Sequence, residues 1–249
     1  MPRYILLRET ASTNTYLARM AEMLPTGTVI YTHKQTAGRG QKGNSWEAEP
    51  GKNLTFSMLL KQLDVPVRSQ FLISEAVSLA IVDVVKQWVD NVRVKWPNDI
   101  YCGDRKLCGI LIENSLDNAG IAHTVIGVGL NVNQTEFVSD APNPVSLAQL
   151  AQREFDLEQV LHQVCEAIER LCDFGDDSQR KLLHERYARA LYRNDGDVHT
   201  FALPDGTQFA ATIQSVEPDG MLVLRHEADG MPRSYAFKQV KHVINEIEL

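Results

Sequence analysis

The run Gln35-Thr36-Ala37-Gly38-Arg39-Gly40-Gln41-Lys42-Gly43 decides how the chain is read. Its last six residues fit G-x-G-x-x-G, the outline of a dinucleotide-binding turn. In that turn a helix opens inside the motif and sets its N-terminus against a pyrophosphate. Here the motif continues as Asn44-Ser45-Trp46-Glu47-Ala48-Glu49-Pro50-Gly51, which is turn-like and lacks helical periodicity. No G-K-[ST] is present, so a P-loop is excluded and a nicotinamide enzyme is disfavoured. What remains is a long loop over residues 35–52, between a β-branched stretch, Thr28–Lys34, and Asn53–Leu60, where Leu54, Phe56 and Met58 alternate. Backbone N–H groups freed of side chains can approach an anion closely. Arg39 and Lys42 add positive charge to the same loop. A loop this long inside a compact domain is usually functional or disordered.

Working outward, Tyr4–Arg8 reads as a first strand, and Ser12 and Thr13 can cap a helix over Asn14–Leu24. Ser69–Val89 is apolar on most faces, the pattern of a helix buried between other elements. Val92–Trp96, Ile100–Cys102, Lys106–Glu113 and His123–Asn131 form a strand series broken by turn residues. Helices follow over Ser146–Ala151, Leu157–Leu171 and Gln179–Leu191. After Asn194-Asp195-Gly196 the texture changes to short strands, Val198–Leu203, Gln208–Val216, Met221–Arg225 and Ser234–Phe237, divided by Asp-Gly turns. That alternation predicts a compact antiparallel barrel. The expected organisation is therefore α+β: a sheet domain over residues 1–192 and a small barrel over 193–249.

Length and charge narrow the function. At 249 residues the chain exceeds one average domain and falls short of two. Lysine and arginine total 25 against 32 acidic residues, a net charge of −7, which argues against coating a phosphate backbone. No run of 18 apolar residues occurs, and the N-terminal apolar run is too short for a signal peptide. The cysteines, at 102, 108, 165 and 172, form no C-x-x-C pair. Buried reduced thiols in a cytoplasmic protein are the expectation.

A second constellation is Val94-Lys95-Trp96-Pro97-Asn98-Asp99-Ile100-Tyr101, followed by Arg105-Lys106-Leu107-Cys108-Gly109-Ile110-Leu111-Ile112-Glu113. Lys106 enters an otherwise apolar strand. It either guards a sheet edge or joins Asn98, Asp99 and Gly109 in a site for an anionic substrate and a metal nucleotide.

Five segments together resemble the biotin protein ligases: Ser12-Thr13-Asn14, Gln35–Gly40, Lys95–Asp99, Arg105–Glu113, and Gly127-Val128-Gly129-Leu130-Asn131-Val132-Asn133. The tail is similar to that family's SH3-like domain. The resemblance implies a mixed, largely antiparallel sheet flanked by helices, of the biotin/lipoate ligase, class II synthetase-like type. It implies activation of biotin by MgATP to biotinyl-5′-AMP, then transfer to one lysine of a biotin carboxyl carrier protein. It also implies the roles. Ser12, Thr13 and Gln35 bind the biotin head, with Asn14 beside them. Gly38, Gly40 and Gln41 belong to the biotin-binding loop, and Arg39 and Lys106 sit by the carboxylate and α-phosphate. Gly109 and Gly129 line the biotin pocket, Trp46 folds over the adenylate, and Asn131 bonds the adenine. Asp99 either binds Mg²⁺, orients Lys106, or helps deprotonate the acceptor lysine. Two anions brought together need cations to offset their repulsion, which is what Arg39 and Lys106 would supply.

Better-known members carry a second arginine where Gln41 stands, so its grip depends on Lys42. Bifunctional members carry a DNA-binding winged helix, for which Ser12-Thr13 lies too near the start, so no DNA is expected as partner. A homodimer through the catalytic sheet is compatible with the pattern. The rival readings are a lipoate or octanoate ligase of the same superfamily, and a non-catalytic adaptor built on a degenerate ligase domain.

Overall fold

The computed structural model describes residues 2–41, 44–138 and 143–244. Lys42 and Gly43, the end of the glycine motif, lie outside the described residues, as does the end of the tail, 245–249. The elements in order are β1 (Arg3–Leu7), α1 (Thr13–Met20), β2 (Thr28–Thr32), β3 (Leu54–Lys61), a single 3₁₀ turn at Val67–Ser69, α2 (Phe71–Val85), β4 (Val92–Lys95), β5 (Asp99–Cys102), β6 (Arg105–Asp117), β7 (Gly120–Leu130), α3 (Leu147–Ala151), α4 (Leu157–Leu171), α5 (Asp177–Ala190), β8 (His199–Ala202), β9 (Gln208–Val216), β10 (Leu222–His226), β11 (Pro232–Tyr235) and β12 (Lys241–His242).

The first seven strands form one sheet, β1-β2-β3-β7-β6-β5-β4, and the last five another, β11-β10-β9-β8-β12. In the large sheet β1 and β2 run parallel and every other neighbour antiparallel, so it is mixed. The second sheet is antiparallel throughout. β6 lies inside the large sheet, between β5 and β7, so Lys106 does not guard an edge.

Strand alternation assigns the two faces of the large sheet different work. Phe56, Met58, Ile126, Val128, Cys108 and Ile110 point to one face and join the main core with α2 and α4. α2 is buried on nearly every side because α4 and α5 cover it from behind. The opposite face is covered at one end by α1, where Leu17 packs on Ile30, Leu59 and Val125. Ser12 caps α1 by accepting from the Thr15 N–H. The rest of that face is left for a site. All four cysteines are free and buried, and among the described residues no helix is long and apolar enough to cross a membrane.

α2 carries one buried carboxylate, Glu75, whose Oε1 lies 2.7 Å from His184 Nδ1 on α5. Bonding to Glu75 raises the His184 pKa above the ordinary 6.5, burial opposes it, and the charge of Glu75 adds to the rise. The folded state therefore holds this proton more tightly than the unfolded chain. The stability so gained is full below pH 6.5 and fades as pH climbs through the raised value. Thermal melts across that window should show the gap between the unaltered protein and His184→Gln narrowing toward alkaline pH.

Candidate functional site

The open face of the large sheet floors a cavity of about 370 Å³. Register builds the floor in rows. Thr55 on β3 stands beside Gly129 on β7, Gly129 beside Gly109 on β6, Gly109 beside Asp99 on β5, and Asp99 beside Lys95 on β4. The next row runs Ser57, Gly127, Leu111, and the one beyond it Leu59, Val125, Glu113. Three glycines in two adjacent strands turn the sheet surface into a trough.

Lys106 reaches this face because of an irregularity. Asp99, Ile100 and Tyr101 pair with Gly109, Cys108 and Lys106, so Leu107 is an extra residue in β6. Such a bulge reverses the alternation. It brings Lys106 to the face of Asp99 and Gly109, and its Nζ lies 2.8 Å from Asp99 Oδ1, with both side chains about a fifth exposed. Lys95 also lines the cavity. Burial pushes its amine below the ordinary lysine range; Asp99 opposes that shift, and Lys106 and Arg193 add to it.

The loop after β2 roofs the trough. Within it Trp46 N–H donates to the Gly38 carbonyl, and Gly40 N–H to that of Asn44. The Trp46 indole lies directly on Gly109 and Gly129: a Cβ at the former would sit 3.0 Å from the ring, and one at the latter would overlap it. The Lys106 Nζ is 5.9 Å from the indole centre, and the indole Nε1 is buried with no partner.

At the other end of the trough a polar chain is assembled. Gln35 Oε1 accepts from Thr13 N–H at 2.8 Å. Ser57 Oγ lies 2.7 Å from Thr13 Oγ1 and 2.5 Å from Asn14 Oδ1. Asn14 Nδ2 donates to Leu111 O at 3.2 Å and to Glu113 Oε2 at 2.9 Å. Both oxygens of Glu113 then accept from Arg39 Nη2 at 3.0 Å. These are neutral donors and acceptors around a space, with an ion pair closing one end.

The tail supplies the remaining wall. Phe201, Leu222, Phe237 and His242 line the same cavity. Trp96 Nε1 donates to Gly220 O at 2.9 Å, and Arg193 Nη1 to Val243 O at 2.9 Å, which fastens the small sheet over the large one. Burial, with Lys95, Arg193 and His199 acting in the same direction, pushes His242 down to about 3, so it stands there neutral.

Of the residues singled out from sequence, Ser12, Thr13, Asn14 and Gln35 line the cavity. Arg39, Gly40, Gln41 and Trp46 do so from the loop, and Asp99, Lys106, Gly109 and Gly129 from the sheet. Two do not. Gly38 holds the Trp46 backbone, and the buried Asn131 turns its amide to Val145 O at 3.1 Å. Arg39 and Lys106 share the cavity, but their charged ends stand apart. The guanidinium rests on Glu113, four strand positions beyond Gly109, which is about 13 Å along β6. Ser57, Gly127, Lys95 and the tail's wall were not anticipated as site residues. A serine amid the apolar alternation of Asn53–Leu60 was the available signal for Ser57.

The biotin/lipoate A/B protein ligase family model matches residues 6–131, half the chain. This chain belongs to that family. The biotin–[acetyl-CoA-carboxylase] ligase of Mycobacterium tuberculosis is 30% identical over 225 residues, covering 88% of this chain and 82% of the relative. The bifunctional ligase/repressor BirA of Bacillus subtilis is 28% identical over 221 residues, covering 85% of this chain and 65% of its own length. The chain thus spans just under two thirds of that relative, and 38% of the length of the Escherichia coli one. The fold is that of the biotin protein ligase from Aquifex aeolicus solved with biotin and ATP, with a TM-score of 0.79 at 20% identity over 98% of this chain and 100% of that one. The second, five-stranded antiparallel sheet, C-terminal to the first, is consistent with a small SH3-like domain.

Proposed function

We propose that the protein activates biotin with ATP, giving biotinyl-5′-AMP and pyrophosphate, and passes the biotinyl group to one lysine of a biotin carboxyl carrier domain. In the first step a biotin carboxylate oxygen bonds to the α-phosphorus and the bond to pyrophosphate breaks. In the second the acceptor amine attacks the acyl carbon and AMP leaves. The observation that carries this reading is the single cavity that joins the neutral polar chain at Thr13, Asn14 and Gln35 to the Lys106–Asp99 pair, over a floor of glycines. A ureido ring needs uncharged donors and acceptors, an acyl chain needs a smooth apolar trough, and the developing charge at phosphorus needs a fixed cation. Names of relatives, biotin ligases among them, support the substrate.

In this reading Arg39 joins Lys106 at the carboxylate and α-phosphate, and Trp46 covers the adenylate from the loop. Gln41 lines the cavity, and its side-chain oxygen is buried and unpartnered. Mg²⁺ arrives with the nucleotide. Among the described residues no cluster of three metal-ligating side chains exists, and a lone carboxylate such as Asp99 suits an ion that keeps its water and phosphate ligands. We place the catalytic part at residues 1–192 and the small barrel at 193–249, a division supported by the separation of β1–β7 from β8–β12. The buried free thiols and the acidic balance support a cytoplasmic protein with no DNA-binding role. β1 is an edge strand at which two copies can pair.

The deciding experiment incubates the protein with ATP, biotin and a carrier domain and weighs the carrier. A gain of one biotinyl group is expected. A gain with lipoate in place of biotin, and none with biotin, replaces this reading by its superfamily rival. The loop over the adenylate gives a second check. Water destroys an acyl-adenylate, so the loop should close over it. Proteolytic nicking within Thr36–Gly51 is expected to slow severalfold when biotin and ATP are added together.

A further inference from the structure

The Arg39 guanidinium is engaged away from the place where the proposed chemistry needs it. It bonds Glu113 through Nη2 alone, at 3.0 Å to each carboxylate oxygen. Both side chains are substantially exposed, 47% for Arg39 and 39% for Glu113. Contact through one nitrogen, open to water, is the exchangeable kind of ion pair rather than the two-pronged fork that locks an arginine. Glu113 itself does not line the cavity, whereas Arg39 does. The carboxylate is held in place independently of Arg39, by Asn14 Nδ2, which is fixed in turn by Leu111 O and Ser57. Lys106 has the corresponding arrangement with Asp99. In the free protein, then, Arg39 and Lys106 each already carry a carboxylate, and an incoming acid that bonds to either has to exchange with it.

We propose that Glu113 is a positioning residue that serves as the counter-ion of Arg39 in the empty site and competes with the carboxylate of the substrate for it. The inference rests on the reading of the cavity as a biotin site. Removing the charge of Glu113 while keeping its shape frees Arg39, so an acid binds more tightly. The ceiling is the worth of a half-exposed pair, about fivefold in affinity, or about 1 kcal/mol at 1.4 kcal/mol per tenfold. A ligand without the acid gains nothing.

The test is calorimetric titration of the full chain and its Glu113→Gln variant with biotin and, separately, with biotinamide, which has the same head and chain but no charge. Expected are tighter biotin binding by Glu113→Gln, up to about fivefold, and unaltered biotinamide binding. In an Arg39→Ala background the Glu113 substitution should change neither. Equal shifts for both ligands would mean that Glu113 only shapes the pocket, and weaker or unaltered biotin binding would mean that it does not compete; each overturns the assignment. So does a biotin effect that survives without Arg39. If Glu113→Gln does not fold, Glu113→Asp, whose carboxylate is withdrawn from Arg39 by one methylene, must move biotin affinity in the same direction. If the unaltered protein binds neither ligand, the biotin reading itself fails and this inference with it; binding of both ligands with no charge-dependent difference sinks the inference alone.

Discussion

Lys106→Ala is expected to abolish biotin adenylation, lowering biotin-dependent pyrophosphate release by at least about a hundredfold, the usual effect of deleting one preorganised donor at a developing charge. The reason is positional. Lys106 owes its place on the cavity face to the extra residue Leu107 in β6, and its ammonium is held 2.8 Å from Asp99 beside Gly109. Two other cations of the cavity are engaged elsewhere. Arg39 rests on Glu113, and Lys95, the nearest other amine on that face, sits over the Tyr101 ring at 5.0 Å with its pKa lowered by burial. Truncation also takes from Asp99 its ion-pair partner where two more anions must meet, so binding of the nucleotide should suffer along with the rate. Stability should change little, because the pair lines an open cavity, with each side chain about a fifth exposed, rather than lying in the core. A normal melting curve with pyrophosphate release at the unaltered rate would remove Lys106 from its assigned role. Asp99→Asn separates two of the roles given to Asp99. If it orients Lys106, the rate falls with unaltered dependence on Mg²⁺; if it meets the metal, the Mg²⁺ requirement rises.

Much of this architecture is legible in the sequence, for identifiable reasons. The elements of the large sheet announce themselves through alternation and β-branching, and α4 is predicted at its observed ends, Leu157 and Leu171, because its apolar stripe is unbroken. α2 is recognisable as buried, but its ends are not: Ser69 closes a 3₁₀ turn and the helix stops at Val85. β6 runs on to Asp117, four residues past the expected end, because Asn114 and Ser115 are polar yet paired, with Thr124 Oγ1 donating to Asn114 Oδ1 across the hairpin. β12 has only two residues, too few for any period. In the site, the separate motifs could be read but not the geometry among them. The bulge that turns Lys106 to the cavity leaves no pattern in a single strand. The seat of the Arg39 guanidinium on Glu113, 74 residues away, depends on which strands are neighbours. So does the wall contributed by Phe201 and His242, since strand order within a sheet is a property of pairing partners that composition does not carry.

Gly127→Ala is the second large effect expected, and it strikes the opposite end of the cavity from Lys106. A Cβ at position 127 would overlap the side-chain amide of Asn14. Asn14 is 3% exposed, and its amide is wedged between Ser57, Leu111 O and Glu113. Asn14 cannot slide away, because the helix that carries it is anchored one turn on by Leu17, fully buried against Ile30, Leu59 and Val125. Either α1 lifts and loses that packing, or Asn14 leaves and strands the hydroxyl and carbonyl it satisfied. A buried partner left unmade costs about 1–3 kcal/mol, which in a chain of this size lowers the melting temperature by roughly 2–12 °C. Biotin affinity should drop at least about tenfold, the equivalent of about 1.4 kcal/mol, since Thr13, Ser57 and Gln35 lose their common geometry. Gly129→Ala, two residues away on the same strand, makes a sharp control. Its Cβ would meet the Trp46 indole instead, and that ring belongs to a loop and has an unpartnered Nε1, so it can rotate off the sheet. The melting temperature should then hold while tryptophan fluorescence shifts and nucleotide-dependent loop protection is lost. If Gly127→Ala melts and binds biotin like the unaltered protein, the polar chain of Gln35, Thr13 and Asn14 is not what grips the head of the substrate.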